Sequence, residues 1–202
     1  MKKQLIVLVI TCLNAISLSQ TKSENNWFES ARAKYNINDY QGAIADYTKA
    51  ISLKPNYANA YNNRGLAKYR LADYHGAIAD YTKAISLKSD IAEFYFNRGA
   101  PEIYVNDYQG AIADYTKAIS LKPDDADAYE FRGLAKGQLN DFQGAIADFT
   151  KAISLQPDNA DAYFNRAVAY LKVGQKSKAL PNFMKAIELG YRVPQEYLDL
   201  CK

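Results

Sequence analysis

The sequence predicts an all-α protein built as a solenoid of tandem helix-turn-helix units, and three observations lead to this fold class. First, the stretch 39–55 returns letter for letter at 107–123. Second, small and aromatic residues recur within this stretch at helical spacing, without the alternation of a strand. Third, a glycine recurs at a constant interval, at Gly42, Gly76, Gly110 and Gly144. A sequence repeat with this fixed period of 34 residues is typical of a solenoid.

The repeated stretch predicts the second helix of each unit. Ala43, Tyr47 and Ala50 lie on one helical face and recur along the chain. An aspartate stands before each copy, where an N-cap would accept hydrogen bonds from the first free amides, at Asp39, Asp73, Asp107 and Asp141. A proline follows three of the four copies and would end the helix, at Pro55, Pro123 and Pro157. Each copy is therefore predicted to be one complete helix.

The residues between the copies, such as 58–71, predict the first helix of each unit. A fainter fifth copy of the second helix covers 175–189. We therefore expect five units, at 24–57, 58–91, 92–125, 126–159 and 160–191. Residues 192–202 repeat only the opening of a unit and predict a C-terminal capping helix.

The segment 1–19 has the features of a secretory signal peptide: Lys2 and Lys3, an apolar run, and small residues at Ser17 and Ser19. The apolar run is shorter than the roughly 20 residues of a membrane span, so an uncleaved anchor is the weaker alternative. Lipid attachment at Cys12 is disfavoured, because such sites need a very small preceding residue. We expect export to the periplasm or the extracellular space, with residues 20–23 as a polar lead-in to the repeats.

Composition excludes some functions. The chain of 202 residues is 49% hydrophobic and 23% charged, which is ordinary for a folded soluble domain. Its net charge of +3 falls to +1 when Lys2 and Lys3 leave with the signal peptide. Such a balance predicts no binding to nucleic acid or anionic lipid by bulk charge. With the signal peptide cleaved, no membrane span is expected. The mature chain would keep a single cysteine, Cys201, so no internal disulfide is expected.

The repeated positions resemble those of the tetratricopeptide repeat family. In the second unit the family's aromatic, small, Ala, aromatic and Ala positions fall at Tyr61, Gly65, Ala77, Tyr81 and Ala84. The resemblance covers roughly 24–191 and implies a right-handed α-solenoid whose first helices line a concave groove. One departure is a lysine where the family often has a packing tyrosine, at Lys34, Lys68 and Lys136.

The resemblance also implies which residues face the groove. The second helices are almost copies of one another, whereas the first helices differ, so tuned recognition is expected on the first helices. The alternative, that these side chains only solvate a generic repeat surface, remains open. The expected groove residues are Phe28, Arg32, Tyr35, Asn62, Asn63, Leu66, Tyr69, Phe96, Asn97, Tyr104, Glu130, Phe131, Leu134, Phe164, Asn165, Val168 and Lys172.

A charged pattern predicts ion pairs between units. An arginine recurs in the first helix, and an aspartate recurs beside the second-helix aromatic. If each arginine paired with the aspartate of its own unit, two units would lack a charge, because Ser30 would face Asp46 and Arg166 would face Asn182. If each arginine paired with the aspartate of the preceding unit, every pair would be complete. We therefore predict pairs of Asp46 with Arg64, Asp80 with Arg98, Asp114 with Arg132 and Asp148 with Arg166, which would fix the register between units.

We find no catalytic constellation, metal site or cofactor motif. His75 is the only histidine, and a metal or acid-base site would need partners that it lacks. The sequence thus predicts an exported protein without enzymatic activity, an adaptor or scaffold that binds a peptide or protein segment in its groove. The alternative is a self-assembling structural array of the cell envelope, since near-identical units can also stack between molecules.

Overall fold

The computed structural model describes residues 23–202, which form eleven α-helices and no strand. The predicted signal peptide, with most of the polar lead-in, lies outside these described residues. The helices are α1 (Glu24–Asn36), α2 (Tyr40–Leu53), α3 (Ala58–Arg70), α4 (Tyr74–Leu87), α5 (Ala92–Tyr104), α6 (Tyr108–Leu121), α7 (Ala126–Gln138), α8 (Phe142–Leu155), α9 (Ala160–Lys172), α10 (Lys176–Glu188) and α11 (Gln195–Asp199).

The second helices α2, α4, α6 and α8 begin where the repeated aspartate caps them. The side chain of Asp39 accepts a hydrogen bond of 2.9 Å from the amide of Gly42, and Asp73, Asp107 and Asp141 do the same for their own glycines. The turn before each cap is closed by one residue in the left-handed conformation, such as Asn38 at φ 62°. These caps fix where each second helix starts, as the sequence predicted.

The helices pack in consecutive antiparallel pairs, and each second helix packs against the first helix of the next pair. Alanines and the aromatic residue of the second helix lie in the core of each pair; Tyr47, Tyr81 and Tyr115 are each at most 1% exposed. A Cβ on Gly65 would lie 2.9 Å from the ring of Tyr81, so the glycine permits this close approach. The all-α solenoid of helix-turn-helix repeats is confirmed.

The last helix, α11, closes the C-terminal end of the core. Its Tyr197 packs on Phe164 and Phe183, with ring centroids 5.4 and 5.6 Å away. Gly190, at φ 92°, supplies a left-handed turn between α10 and α11. No helix within residues 23–202 is both long enough and apolar enough to cross a lipid bilayer.

Candidate functional site

The first helices form a continuous surface, which we call the groove surface and define by the predicted residues on α1, α3, α5, α7 and α9. Successive first helices contact one another, whereas successive second helices have fewer contacts. The solenoid therefore curves towards the first helices, and its inner side carries their side chains. Most of the predicted groove residues are exposed or half-buried, but Phe28, Asn62 and Glu130 are buried.

The buried three belong to one repeat position, which is alternately aromatic and polar along the array. Phe28 packs under Tyr57, with ring centroids 4.9 Å apart, and is 8% exposed. Asn62 and Glu130 are 2% and 9% exposed and make hydrogen bonds across to neighbouring first helices. These side chains therefore shape the floor of the groove surface and hold its first helices together. Because they are buried, these three side chains are not accessible to a ligand.

One polar cluster joins α3 to α5. The amide of Asn97 donates to the side-chain oxygen of Asn62 over 3.0 Å. Asn62 in turn donates to Asn63 over 3.2 Å and to Glu93 over 3.4 Å. The half-buried Asn63 and Asn97 are thus oriented by this cluster. An oriented amide is suited to hydrogen bonding with an extended peptide, because no rotamer freedom is left to lose on binding.

A second polar cluster joins α7 to α9. Glu130 accepts a hydrogen bond of 2.6 Å from Asn159 and a longer one of 3.5 Å from Asn165. Burial raises the pKa of Glu130, while the two amide donors act in the opposite direction. The carboxyl group therefore has its partners within the protein, and Asn165 remains half-buried at the surface with its side-chain oxygen facing no described donor.

Tyrosines cluster where the first helices end. Tyr74 and Tyr104 stack with ring centroids 4.6 Å apart, and Tyr69 contacts both rings at 5.8 Å. Burial and the hydrogen bond with Tyr104 raise the pKa of Tyr69 to about 12. Tyr104 is nevertheless 58% exposed. The cluster therefore offers flat aromatic area to a ligand at little cost in side-chain entropy.

A cleft of about 390 Å³ opens between α7, α8 and α9, and the sequence reasoning missed it. Its walls include the groove residues Leu134, Asn165, Val168 and Lys172. Position 137 is glycine, where the other four units have Tyr35, Tyr69, Ile103 and Leu171, and the corresponding cleft beside Tyr35 measures only about 100 Å³. The signal that could have revealed it was this one missing side chain in an otherwise bulky repeat position.

The predicted ion pairs between units are wrong, because three of the arginines bind the aspartate of their own unit and Arg166 binds Asn182 of its own unit. Arg64 makes two hydrogen bonds, of 2.6 and 2.8 Å, to the carboxylate of Asp80. The physical reason is the hairpin: residues equally distant from the turn lie opposite each other in two antiparallel helices, and Ala72 is midway between these two. The predicted pairs corrected in this way are Asp46 with Arg64, Asp80 with Arg98, Asp114 with Arg132 and Asp148 with Arg166.

The end units that seemed incomplete are paired as well. The hydroxyl of Ser30 donates to Asp46 over 2.6 Å, and Arg166 donates to the side-chain oxygen of Asn182 over 2.9 Å. A hydroxyl or an amide thus replaces one charge of the pair in each end unit. Burial lowers the pKa of Arg166, which has an amide in place of a carboxylate partner.

The arginines still connect the units, through threonine. The second terminal nitrogen of Arg64 donates to the hydroxyl of Thr48 in the preceding unit over 3.0 Å. The same bond recurs at every later junction between units, from Arg98 to Thr82, from Arg132 to Thr116 and from Arg166 to Thr150. Each guanidinium thus binds one carboxylate or amide within its unit and one hydroxyl across the junction.

The lysines that depart from the family pattern complete these buried ionic clusters. Lys68 lies 2.8 Å from the carboxylate of Asp80, and Lys34 and Lys136 bind Asp46 and Asp148 in the same way. In the third unit this position is occupied by Glu102, which is 7% exposed. Burial, and secondarily the carboxylate of Asp114, raises the pKa of Glu102 to about 8. Its Oε2 atom has no hydrogen-bond partner within the described residues.

No group of three or more His, Cys, Asp or Glu residues within 23–202 has the geometry to hold a metal ion. His75 lies exposed in the first turn of α4. The described surface offers hydrogen-bonding amides, aromatic rings and an apolar cleft.

Paired helices stacked at a constant period define a helical repeat protein of the α-solenoid class. Family models make the assignment specific: a TPR repeat model matches residues 31–71, 103–140 and 133–174, and tetratricopeptide repeat models match 58–91 and 160–189. The chain belongs to the tetratricopeptide repeat family.

Solved structures with the same fold include MamA, which is 28% identical and covers 82% of this chain and 91% of its own, with a TM-score of 0.78. The MamA segment 41-end from Desulfovibrio magneticus RS-1 is 19% identical, covers 82% of this chain and 94% of its own, and has a TM-score of 0.79. YrrB, described as a TPR protein with an unusual peptide-binding site, is 22% identical over 88% of this chain and 91% of its own, with a TM-score of 0.75. A search of curated proteins gave no match.

Proposed function

We propose that this protein is an exported, non-enzymatic adaptor that binds a peptide or protein segment on its groove surface. The observation that supports this most is the contrast between the two sides of the solenoid. The second helices repeat one sequence, whereas the first helices bring different amides and aromatic rings together, oriented by bonds between neighbouring units. A surface with this variety is suited to one partner, because aromatic and amide groups supply most of the energy and direction of peptide recognition.

Groove variants test this proposal against matched changes on the outer side. The mature chain, residues 20–202, is incubated with its own envelope fraction, and the captured proteins are identified. A triple variant carries Arg32→Glu, Tyr104→Ser and Lys172→Glu, all at exposed groove positions. A control carries Lys49→Glu and Lys151→Glu at exposed second-helix positions. Binding that the groove variant loses and the control keeps supports the adaptor, and equal loss in both contradicts it.

Export is tested separately. The sequence of the segment 1–19 supports cleavage by a signal peptidase. N-terminal sequencing of the protein from the envelope or the medium should begin at Gln20. Full-length protein that stays in the cytoplasm would refute export without affecting the binding proposal.

A second function, self-assembly into an array, has its own support at the C-terminal end. Ile51, Ile119 and Ile153 are at most 9% exposed because the next unit covers them. The corresponding Ile187 is 39% exposed, beside Met184 at 53%. The natural occupant of this face is the first helix of a second copy, and such head-to-tail stacking does not close. Light scattering across a concentration series tests it: growth abolished by Ile187→Glu would favour an array, and a constant monomer mass would exclude it.

A further inference from the structure

We propose that the cleft beside Gly137 is a specificity pocket that takes one bulky apolar side chain from an acidic, extended peptide segment. This inference rests on the proposed adaptor function and specifies which ligand chemistry that function recognises. It concerns one junction, between the fourth and fifth units. At the junction between the first and second units the corresponding place is a smaller cleft of about 100 Å³, which Tyr35 lines.

The missing side chain at position 137 enlarges the pocket. A Cβ added to Gly137 would meet no heavy atom within 4 Å, so the space beside it is open. The glycine is not required by the backbone, because its φ is that of an ordinary helical residue and α7 runs through it. Gly133, one turn earlier in the same helix, differs: a Cβ there would lie 2.8 Å from Phe149. Gly133 is thus explained by packing within the protein, whereas Gly137 is not.

The lining is apolar where a side chain would enter. Leu134 and Val168 form facing walls, and Phe142 and Phe149 contribute aromatic surface. A volume of about 390 Å³ accommodates an aromatic or large aliphatic side chain with part of the peptide backbone. Leu134 and Val168 are half-buried, so the apolar walls are accessible. A bulky apolar side chain of the ligand would take the position that the side chain of Tyr69 or Leu171 has in another unit.

The charges at the rim indicate the ligand's sign. Among the described residues, Lys172 is the only charged one that lines the cleft. A neighbouring cleft shares Val168 and Lys172 and adds Lys176. No carboxylate of the described chain lines either cleft, and neither lysine forms an ion pair within residues 23–202. Two unpaired lysines favour an occupant with carboxylates close to its apolar side chain.

The nearby carboxylates do not neutralise these lysines. Glu130 accepts from Asn159 and Asn165, and Asp141 accepts from the amide of Gly144 at the start of α8. Asn165 lines the cleft, and its side-chain oxygen is available to accept a hydrogen bond from a peptide N–H group. An apolar socket, an amide and two cations therefore converge within one junction.

The test is selection from a peptide library displayed on phage, using the mature chain as bait. The expected enriched peptides carry a Phe, Trp, Leu or Met next to Asp or Glu. A synthetic peptide of the enriched sequence is then titrated against three variants. Gly137→Tyr places the residue of the first two units in the cleft and should weaken binding by at least about tenfold. Gly137→Ala fills little of the cleft and should leave the affinity within about twofold, because the added methyl group meets no heavy atom within 4 Å.

Lys172→Glu separates charge from shape. It should weaken the same peptide by about tenfold at low salt and reduce the dependence of affinity on ionic strength. Circular dichroism should show the same helicity for Gly137→Tyr as for the unmodified protein and an unfolding temperature that is no lower, because a helical glycine is replaced by a better helix former; lost binding then reflects the filled cleft.

The outcomes separate this inference from the function on which it rests. Enriched peptides that bind Gly137→Tyr unchanged would refute the pocket and leave groove binding intact. Enriched peptides that are basic would refute the assigned ligand chemistry. A library that yields no peptide dependent on the groove surface would refute peptide binding there, and the pocket with it.

Discussion

Replacing Glu102 with glutamine tests the buried carboxyl group of the third unit, and the expected effect depends on pH. In the folded protein, burial and the neighbouring Asp114 raise the pKa of Glu102 from 4.5 to about 8. The folded state therefore holds this proton more tightly than the unfolded chain does. Glu102 contributes its full stability below about pH 4.5, and that contribution is lost as the pH rises towards 8.

The magnitude follows from the size of the shift. Each pKa unit corresponds to about 1.4 kcal/mol. We expect the free energy of unfolding to fall by about 2 kcal/mol between pH 5 and pH 8.5. This is less than the whole pKa shift would give, because a charged Glu102 can relax towards water and towards Arg98, which lies 3.6 Å away. Glutamine keeps the shape of the protonated carboxyl group but cannot ionise. Glu102→Gln should match the unmodified protein at pH 5 and exceed its stability by about 2 kcal/mol at pH 8.5.

Thermal and urea unfolding at the two pH values provide the measurement, and the difference between the variants cancels all other titrating groups. At pH 8.5 the unfolding temperature of Glu102→Gln should be higher by about 4–8 °C. Glu102→Lys serves as the second variant, because it restores the lysine that pairs with aspartate in other units, as Lys68 does with Asp80 at 2.8 Å. It should also exceed the unmodified protein at pH 8.5. The difference in free energy of unfolding between Glu102→Gln and the unmodified protein should depend on pH. If it is the same at both pH values, the raised pKa of Glu102 is refuted.

Three further predictions concern the repeat junctions and cores, each measured by urea unfolding. Asp80→Asn leaves the buried charge of Arg64 without a carboxylate and should cost about 3 kcal/mol; a cost below about 1 kcal/mol would contradict the pairing. Thr116→Val removes one hydrogen bond across a junction and should cost about 1 kcal/mol, whereas no change would show that the bond adds nothing to register. Gly99→Ala brings a Cβ to 2.7 Å from the ring of Tyr115 and should cost about 1–3 kcal/mol, while unchanged stability would mean the ring shifts freely.

The helix caps and cores were predictable because they depend on neighbours in sequence. An aspartate directly before a helical stretch can cap the first free amides through a bond to a residue three positions on, and all four predicted caps are present. Alanine and aromatic positions at helical spacing likewise identify the buried face of each second helix, because a helix exposes a stripe that must be covered.

The ion pairs were not predicted correctly, although the residues were. The pairing of Arg64 depends on which helix lies opposite it. In an antiparallel hairpin that is the second helix of the same unit, so Arg64 binds Asp80. Ser30 and Asn182 looked like unpaired ends because only charges were considered. A hydroxyl and an amide satisfy the same buried partners.

The sequence by itself determined the period, the helical character of each unit, the caps and the family, because these follow from local spacing that returns at a constant interval. The tertiary structure alone decided which first-helix side chains are buried and which are accessible: Asn62 lies in the floor while Tyr104 is open. It also decided that one glycine leaves an empty cleft. Burial, ion pairing and empty volume depend on how neighbouring helices pack against one another, and the spacing of residues along one helix does not determine them.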